Sequence, residues 1–281
     1  MEYHALAAVD KELRRSDLFC DILSSEKKEV RPGIETKNCY FTTTVCAAQL
    51  ATLWRSDTMK DLWMSFKTPL QRRFRKSRAE LIKRMVPNIE GASIIDVGGS
   101  LPFWREVGSI LKPGSVRIFN ISQHRATMFM DQSAGPDWLS LELYDGKRLP
   151  VADNAADIAI CNSVIEHVPP AARENLAAEL QRVARTYIVQ TPSPLFPVEL
   201  HFGLPFVHWL PRTMGRQIVP ISPFAVFSKV DAKQYFDDTQ LLTKRELTEY
   251  FPGCEVVTEA LAGLPKSNIA FGHTTNTDTA L

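Results

Sequence analysis

From Ala92 onward the chain alternates short apolar runs with stretches of helical periodicity. Ser93-Ile94-Ile95-Asp96-Val97, Val116-Arg117-Ile118-Phe119, Leu139 to Leu143, Asp157 to Cys161 and Tyr187-Ile188-Val189 read as strands separated by helix-length segments. Alternation of this kind predicts βαβ units, a parallel sheet and right-handed crossovers. Pro169-Pro170 opens one helix, with Pro170 at the first helical position and Leu176, Leu180 and Val183 as its buried stripe, so helices cover both faces of the sheet. Thr243 to Phe251 reads as a helix capped by Thr243, with Glu246 completing a capping box and Pro252-Gly253 ending it. Cys254 to Thr258 and Ser267 to Phe271 supply two last strands, which brings the sheet to seven.

Two regions break this texture. Before about Pro87 the pattern is helical: Met59, Leu62, Trp63 and Phe66 recur at i, i+3, i+4, i+7, and Leu81, Ile82, Met85 and Val86 repeat the idea. Between the helices of this region, Lys27 to Thr44 contains Pro32-Gly33 and a run of threonines and reads as loop or hairpin. The second region, 192–230, holds prolines 192, 194, 197, 205, 211, 220 and 223 together with Phe196, Phe202, Phe206, Trp209, Phe224 and Phe227. That proline density predicts an irregular lid inserted between sheet elements. The expected organisation is a helical N-terminal extension (1–87), an α/β domain (88–272) carrying the lid, and a loose Thr/Asn-rich tail from His273 (273–281).

Composition narrows the class. With 281 residues, 44% hydrophobic and 23% charged, the chain is an ordinary globular one with a sizeable core. Lys+Arg 33 against Asp+Glu 32 leaves a net charge of +1, which argues against a dedicated nucleic-acid binder. A basic run, Lys67, Arg72, Arg73, Arg75, Lys76, Arg78, Lys83 and Arg84 against Glu80 alone, reads as a solvated helix face balanced elsewhere, or as a face for an anionic partner. The first residues lack an apolar signal core, and no run approaches the roughly 18 apolar residues of a spanning helix, so a cytoplasmic location is expected. Cys20, Cys39, Cys46, Cys161 and Cys254 form no C-x-x-C pair, and neither a disulfide framework nor a metal site is expected.

The candidate chemistry lies at the strand exits, because ligands of an open parallel sheet sit beyond the carboxyl ends at the point where strand order reverses. The first strand runs into Gly98-Gly99-Ser100-Leu101-Pro102, where two glycines allow close approach of a ligand. A dinucleotide fingerprint needs a third spaced glycine, and Ser100 and Pro102 stand in the remaining places.

Four segments carry a resemblance: IIDVGG, RLPVADNAADIAICNSVIEHV, YIVQTPSPLFPVELHFGLPFVHWLP and LAGLPKSNIAF. Together they resemble the S-adenosylmethionine-dependent methyltransferases of the Rossmann-like class, and look closest to a bacterial subgroup acting on small molecules or glycans. The resemblance covers about Ile94 to Phe271. It implies a Rossmann-like, doubly wound, mostly parallel seven-stranded sheet and S-adenosylmethionine as cofactor. By similarity, Asp96 and Gly98 form the turn under the methionine part, and Asp145 stands at the acidic position that accepts from the adenine amine. Asn162 lies where the fourth strand meets the methionine moiety, and Asn120 stands where the wider family places a carboxylate on the ribose. Gly99, Ser100 and Gly146 complete the expected cofactor set.

Methyl transfer to a hydroxyl requires removal of its proton, so bases near the strand ends are needed. His167 in VIEHV and His201 in PVELH are the candidates, with Glu166 and Glu199 beside them as orienters or substitutes. The expected reaction is O-methylation of a small molecule or glycan, and the aromatic lid suits an apolar or lipid-linked acceptor at a membrane surface. Two alternatives stand beside it. A catalytically silent scaffold would bind the cofactor without turnover, and a nicotinamide-dependent oxidoreductase would share the sheet but is opposed by the missing glycine and by Asn120.

Overall fold

Consecutive buried residues of the first strand point into different layers: Ile94 joins one apolar cluster and Ile95 the other. The same period of two runs through Ile158, Ala159, Ile160 and Cys161, so helices must cover both faces of the sheet. The computed structural model describes residues 57–121, 136–228 and 230–274. The expected loop at 27–44, Cys20, Cys39 and Cys46, and the tail beyond Thr274 lie outside the described residues, as do the side chains of Met59, Leu62 and Phe66.

In chain order the elements are α1 (Asp57–Met85), β1 (Ser93–Val97), α2 (Leu101–Leu111), β2 (Ser115–Asn120), β3 (Leu139–Leu143), β4 (Ala156–Asn162), α3 (Pro170–Val183) and β5 (Ala184–Pro192). A two-stranded hairpin follows, β6 (Val198–Glu199) with β7 (Leu204–Pro205), and then α4 (Arg212–Ile218), α5 (Pro223–Phe227), α6 (Ala232–Asp238), α7 (Lys244–Tyr250), β8 (Glu255–Leu261) and β9 (Leu264–His273). The main sheet has the order β3-β2-β1-β4-β5-β9-β8. Strands β1 to β5 pair in parallel, whereas β9 runs antiparallel to β5 and to β8. This is the Rossmann-like, doubly wound arrangement, and its order reverses between β1 and β4.

One face packs Ile94, Ile118, Ile160 and Ile269 against Ala79 and Ile82 of α1 and Phe103, Trp104 and Val107 of α2. The other packs Ile95, Ala159, Tyr187 and Val189 against Leu176 and Leu180 of α3, Leu247 of α7 and Phe251 at the C-cap of α7. A third cluster, Phe202, Val207, Val219, Ala232 and Phe236, holds the lid together.

Three expectations need correction. The two apolar stripes before residue 87 belong to one 29-residue helix that continues through Pro69. The lid is less irregular than its proline content suggests. Pro211 and Pro223 stand at the N-cap of α4 and the first turn of α5, where a missing N–H breaks no helical bond. Nor does the loose tail begin at His273. That residue pairs with Thr186 in the sheet, and the Thr274 hydroxyl donates to the carbonyls of Gln181 and Ala184.

Candidate active site

The turn after β1 is built for close contact. Gly98 has φ +75°, which favours glycine, and its amide donates to the Phe119 carbonyl at 2.8 Å. A Cβ there would come 2.5 Å from Val164, in the loop after β4, and one on Gly99 would run into the Asp96 carboxylate. Asp96 is fully buried. Its Oδ2 accepts from the Trp104 indole at 2.7 Å, and Oδ1 has no partner among the described residues. Burial raises its pKa to about 7, against the opposing effect of the Trp104 bond. Ser100 is the N-cap of α2 but makes no side-chain cap bond.

The remaining cofactor candidates divide. Asn120 Nδ2 donates to the Gly99 carbonyl at 3.1 Å, so this side chain braces the glycine turn and keeps Oδ1 as an acceptor. Asp145 is exposed, and its Oδ1 accepts from the amides of Lys147 and Arg148, which holds its pKa low. Gly146, at φ +77°, packs on Ile121. Asn162 ends β4, and its Oδ1 accepts from Arg78 Nη1 at 2.8 Å.

Arg78 went unnoticed in the sequence except as one of the basic run. Its Nε and Nη2 also donate to Glu259 Oε2, at 3.2 and 3.1 Å, while Lys266 Nζ and the Ser267 hydroxyl reach the same carboxylate at 2.8 and 2.6 Å. Glu259 is held in its ionised form against burial by Arg78 and Lys266. The available signal was an arginine placed next to Ala79 and four residues before Ile82, on the stripe that α1 buries.

The four predicted catalytic side chains come together between the β4 loop and the lid. His201 Nδ1 lies 2.6 Å from Glu199 Oε1, and Glu199 Oε2 accepts from the Phe202 amide at 2.8 Å. His201 Nε2 stands 3.7 Å from Glu166 Oε1, too long for a hydrogen bond. Burial alone would lower the His201 pKa, but Glu199 and then Glu166 carry it to about 10. Glu199 is itself held low by His201 despite burial. The His167 and His201 rings meet edge to face with centroids 4.8 Å apart. Thr239 Oγ1 donates to the Tyr235 carbonyl at 2.7 Å, so it accepts from His167 Nδ1 at 3.3 Å. That tautomer turns His167 Nε2 to the Tyr235 hydroxyl, also at 3.3 Å.

Residues 111–186, from the end of α2 to the start of β5, match the family model described as a methyltransferase domain. That match spans 76 of the chain's 281 residues and takes in β2, β3, β4 and α3. The chain is similar to two solved structures described as S-adenosylmethionine-dependent methyltransferases. One, from Mesorhizobium loti, is 13% identical with a TM-score of 0.46 and covers 69% of this chain and 96% of its own. The other, from Aquifex aeolicus, is 12% identical with a TM-score of 0.44 and covers 68% and 88%. No curated protein matches the chain in sequence.

The turn after β1 and the loop after β4 meet at the point where strand order reverses. Val164 fills the space beside Gly98 and the Asp96 carboxylate the space beside Gly99, so neither position has room for a side chain; Asp96 Oδ1 is left without a partner among the described residues, and Arg78 occupies the Asn162 carbonyl oxygen.

Proposed function

We propose that the protein is a methyltransferase that transfers the methyl group of S-adenosylmethionine to an oxygen of a small molecule or glycan, a reading supported by the match of residues 111–186 to a methyltransferase domain. The observation that carries the proposal is the assembly of Glu166, His167, Glu199 and His201 from the β4 loop and the lid, in the loop whose Val164 packs on Gly98. A hydroxyl is a poor nucleophile until its proton is removed; with His201 held as an imidazolium by its two carboxylates, the proton acceptors left in the cluster are His167 and Glu166, a set that suits a hydroxyl better than an already nucleophilic amine or thiolate.

When bound, the cofactor supplies an electrophilic methyl group and a neutral thioether leaving group. The chain's residues position it. Gly98 and Gly99 admit it to the backbone, and Asn162 donates from its amide. Within the Arg78–Glu259–Lys266 group two cations face one carboxylate, and this excess favours the cofactor's own carboxylate at Asn162. Asn120 Oδ1 accepts from a ribose hydroxyl, and Asp145 with Gly146 flanks the adenine. On the acceptor side the lid exposes Leu195, Phe206 and Trp209, with the two rings 5.1 Å apart. This supports an acceptor with an apolar or lipid-linked portion.

Thermal denaturation tests the cofactor half. S-adenosylhomocysteine at 100 times its Kd should stabilise the enzyme by about 2.7 kcal/mol, and NAD should leave it unchanged. Stabilisation by NAD alone would reverse the reading. Methyl transfer from radiolabelled cofactor to a panel of hydroxyl-bearing sugars and phenols tests the acceptor half. Binding without transfer to any of them would mark a silent scaffold.

A further inference from the structure

We propose that Glu166, His167 and His201 bind one divalent first-row transition-metal ion, at the junction of the β4 loop and the lid. Each offers a ligand atom, and the three atoms lie within 4.8 Å of one another. Donors around an ion with bonds of about 2.1 Å stand about 3.4 Å apart, so small side-chain rotations close the set.

Two further observations point to an ion. Glu166 is fully buried, and neither of its oxygens has a hydrogen-bond partner among the described residues. Among the described residues, the one cation beside this buried carboxylate is the His201 imidazolium, 3.7 Å from Oε1 and beyond hydrogen-bond reach; a metal ion that takes the place of the Nε2 proton would meet both groups at bonding distance. His201, moreover, is already arranged as a ligand. Its Nδ1 is tied to Glu199 at 2.6 Å and Glu199 is fixed by the Phe202 amide, which directs Nε2 at Glu166. A carboxylate that orients the far nitrogen of an imidazole is the usual support of metal-bound histidine. The 3.3 Å bond between His167 and the Tyr235 hydroxyl is long enough to yield to a metal bond.

Two imidazoles with one carboxylate suit zinc, manganese, cobalt or iron(II) better than calcium or magnesium, which favour oxygen ligands. Three protein ligands also leave coordination positions open. The use of one of them rests on the methyltransferase reading above. There the ion would hold and acidify the acceptor hydroxyl. The hydroxyl proton leaves to bulk water, the oxygen forms a bond to the methyl carbon, and the carbon–sulfur bond breaks with its electron pair left on sulfur. Sequence spacing does not announce the set, because His201 comes from the lid, beyond α3 and β5.

The test uses the full chain, stripped with a chelator and titrated with Co2+. One equivalent should bind with visible absorption bands, and Zn2+ should displace it. Glu166→Gln and His201→Gln should each weaken Co2+ binding at least tenfold, whereas His208→Gln and His273→Gln should leave it unchanged. In the wild-type chain, which needs no variant to fold, paramagnetic Co2+ should shift the ring signals of two histidines. Absence of saturable binding, equal affinity in Glu166→Gln and His201→Gln, or unshifted histidine signals would overturn the site. S-adenosylhomocysteine binding measured in chelator separates the two readings, because its loss would sink the methyltransferase crevice and leave the metal result standing.

Discussion

Asp96 shows what one buried carboxyl does to the whole chain's response to pH. Unfolded, it ionises near 3.8; folded, it does so near 7, because burial disfavours the charge. Between those values the folded chain holds more protons than the unfolded one, so stability falls as pH rises through this window and is flat above it. A shift of about 3 units corresponds to about 4 kcal/mol at most. Asp96→Asn removes the effect. Urea midpoints at pH 5 and pH 8 should differ less in the variant than in the wild type, and an equal difference in both would refute the assignment. Arg78 makes a second case at this scale. Arg78→Met leaves Glu259 its bonds to Lys266 and Ser267 but frees Asn162. S-adenosylhomocysteine should then bind about tenfold more weakly, a loss of about 1.4 kcal/mol, and the melting temperature should fall as well, because the buried Glu259 loses one of its two cations. Calorimetric titration checks the first outcome, and unchanged affinity would remove Arg78 from the crevice.

The capping box predicted from Thr243 and Glu246 at the start of α7 is present, with both reciprocal bonds made. Thr243→Ala should cost about 1 kcal/mol in denaturant unfolding. A loss below a few tenths would mean that the cap contributes nothing to α7 in place. Elements of this kind were legible because their cause is local: short apolar runs marked all seven strands of the main sheet, and Pro170 marked the start of α3. The lid was less legible because a proline at a helix start and one that breaks a helix look alike in sequence. The two stripes of α1 read as separate for the same reason, with Pro69 between them. At the site, residue types pointed to Glu166, His167, Glu199 and His201, but no spacing revealed that the lid would fold them into one group. Arg78 was hidden because a buried arginine is recognised only by partners distant in sequence, here Asn162 and Glu259.

Across the whole molecule, the basic run of α1 is met by acids from other elements. Arg72 and Arg75 reach Glu106 of α2, Lys83 reaches Glu90, and Arg78 reaches Glu259 of β8. The surface pairs among these are worth little individually. Their placement shows that part of the charge of this run is cancelled locally, by carboxylates that neighbouring elements bring to the helix. That helix also covers Trp104, Val107 and Ile160 with Ala79 and Ile82. A chain shortened to begin at Pro87 should therefore expose this apolar layer, bind hydrophobic dyes and elute as aggregates in size-exclusion chromatography; a monomeric fragment that still takes up S-adenosylhomocysteine would contradict this. For anyone grafting or trimming the protein, the portable unit is longer than the stretch that the family pattern recognises. The segment preceding the first strand has to travel with the rest, as both the roof over one side of the sheet and the source of a guanidinium at its edge.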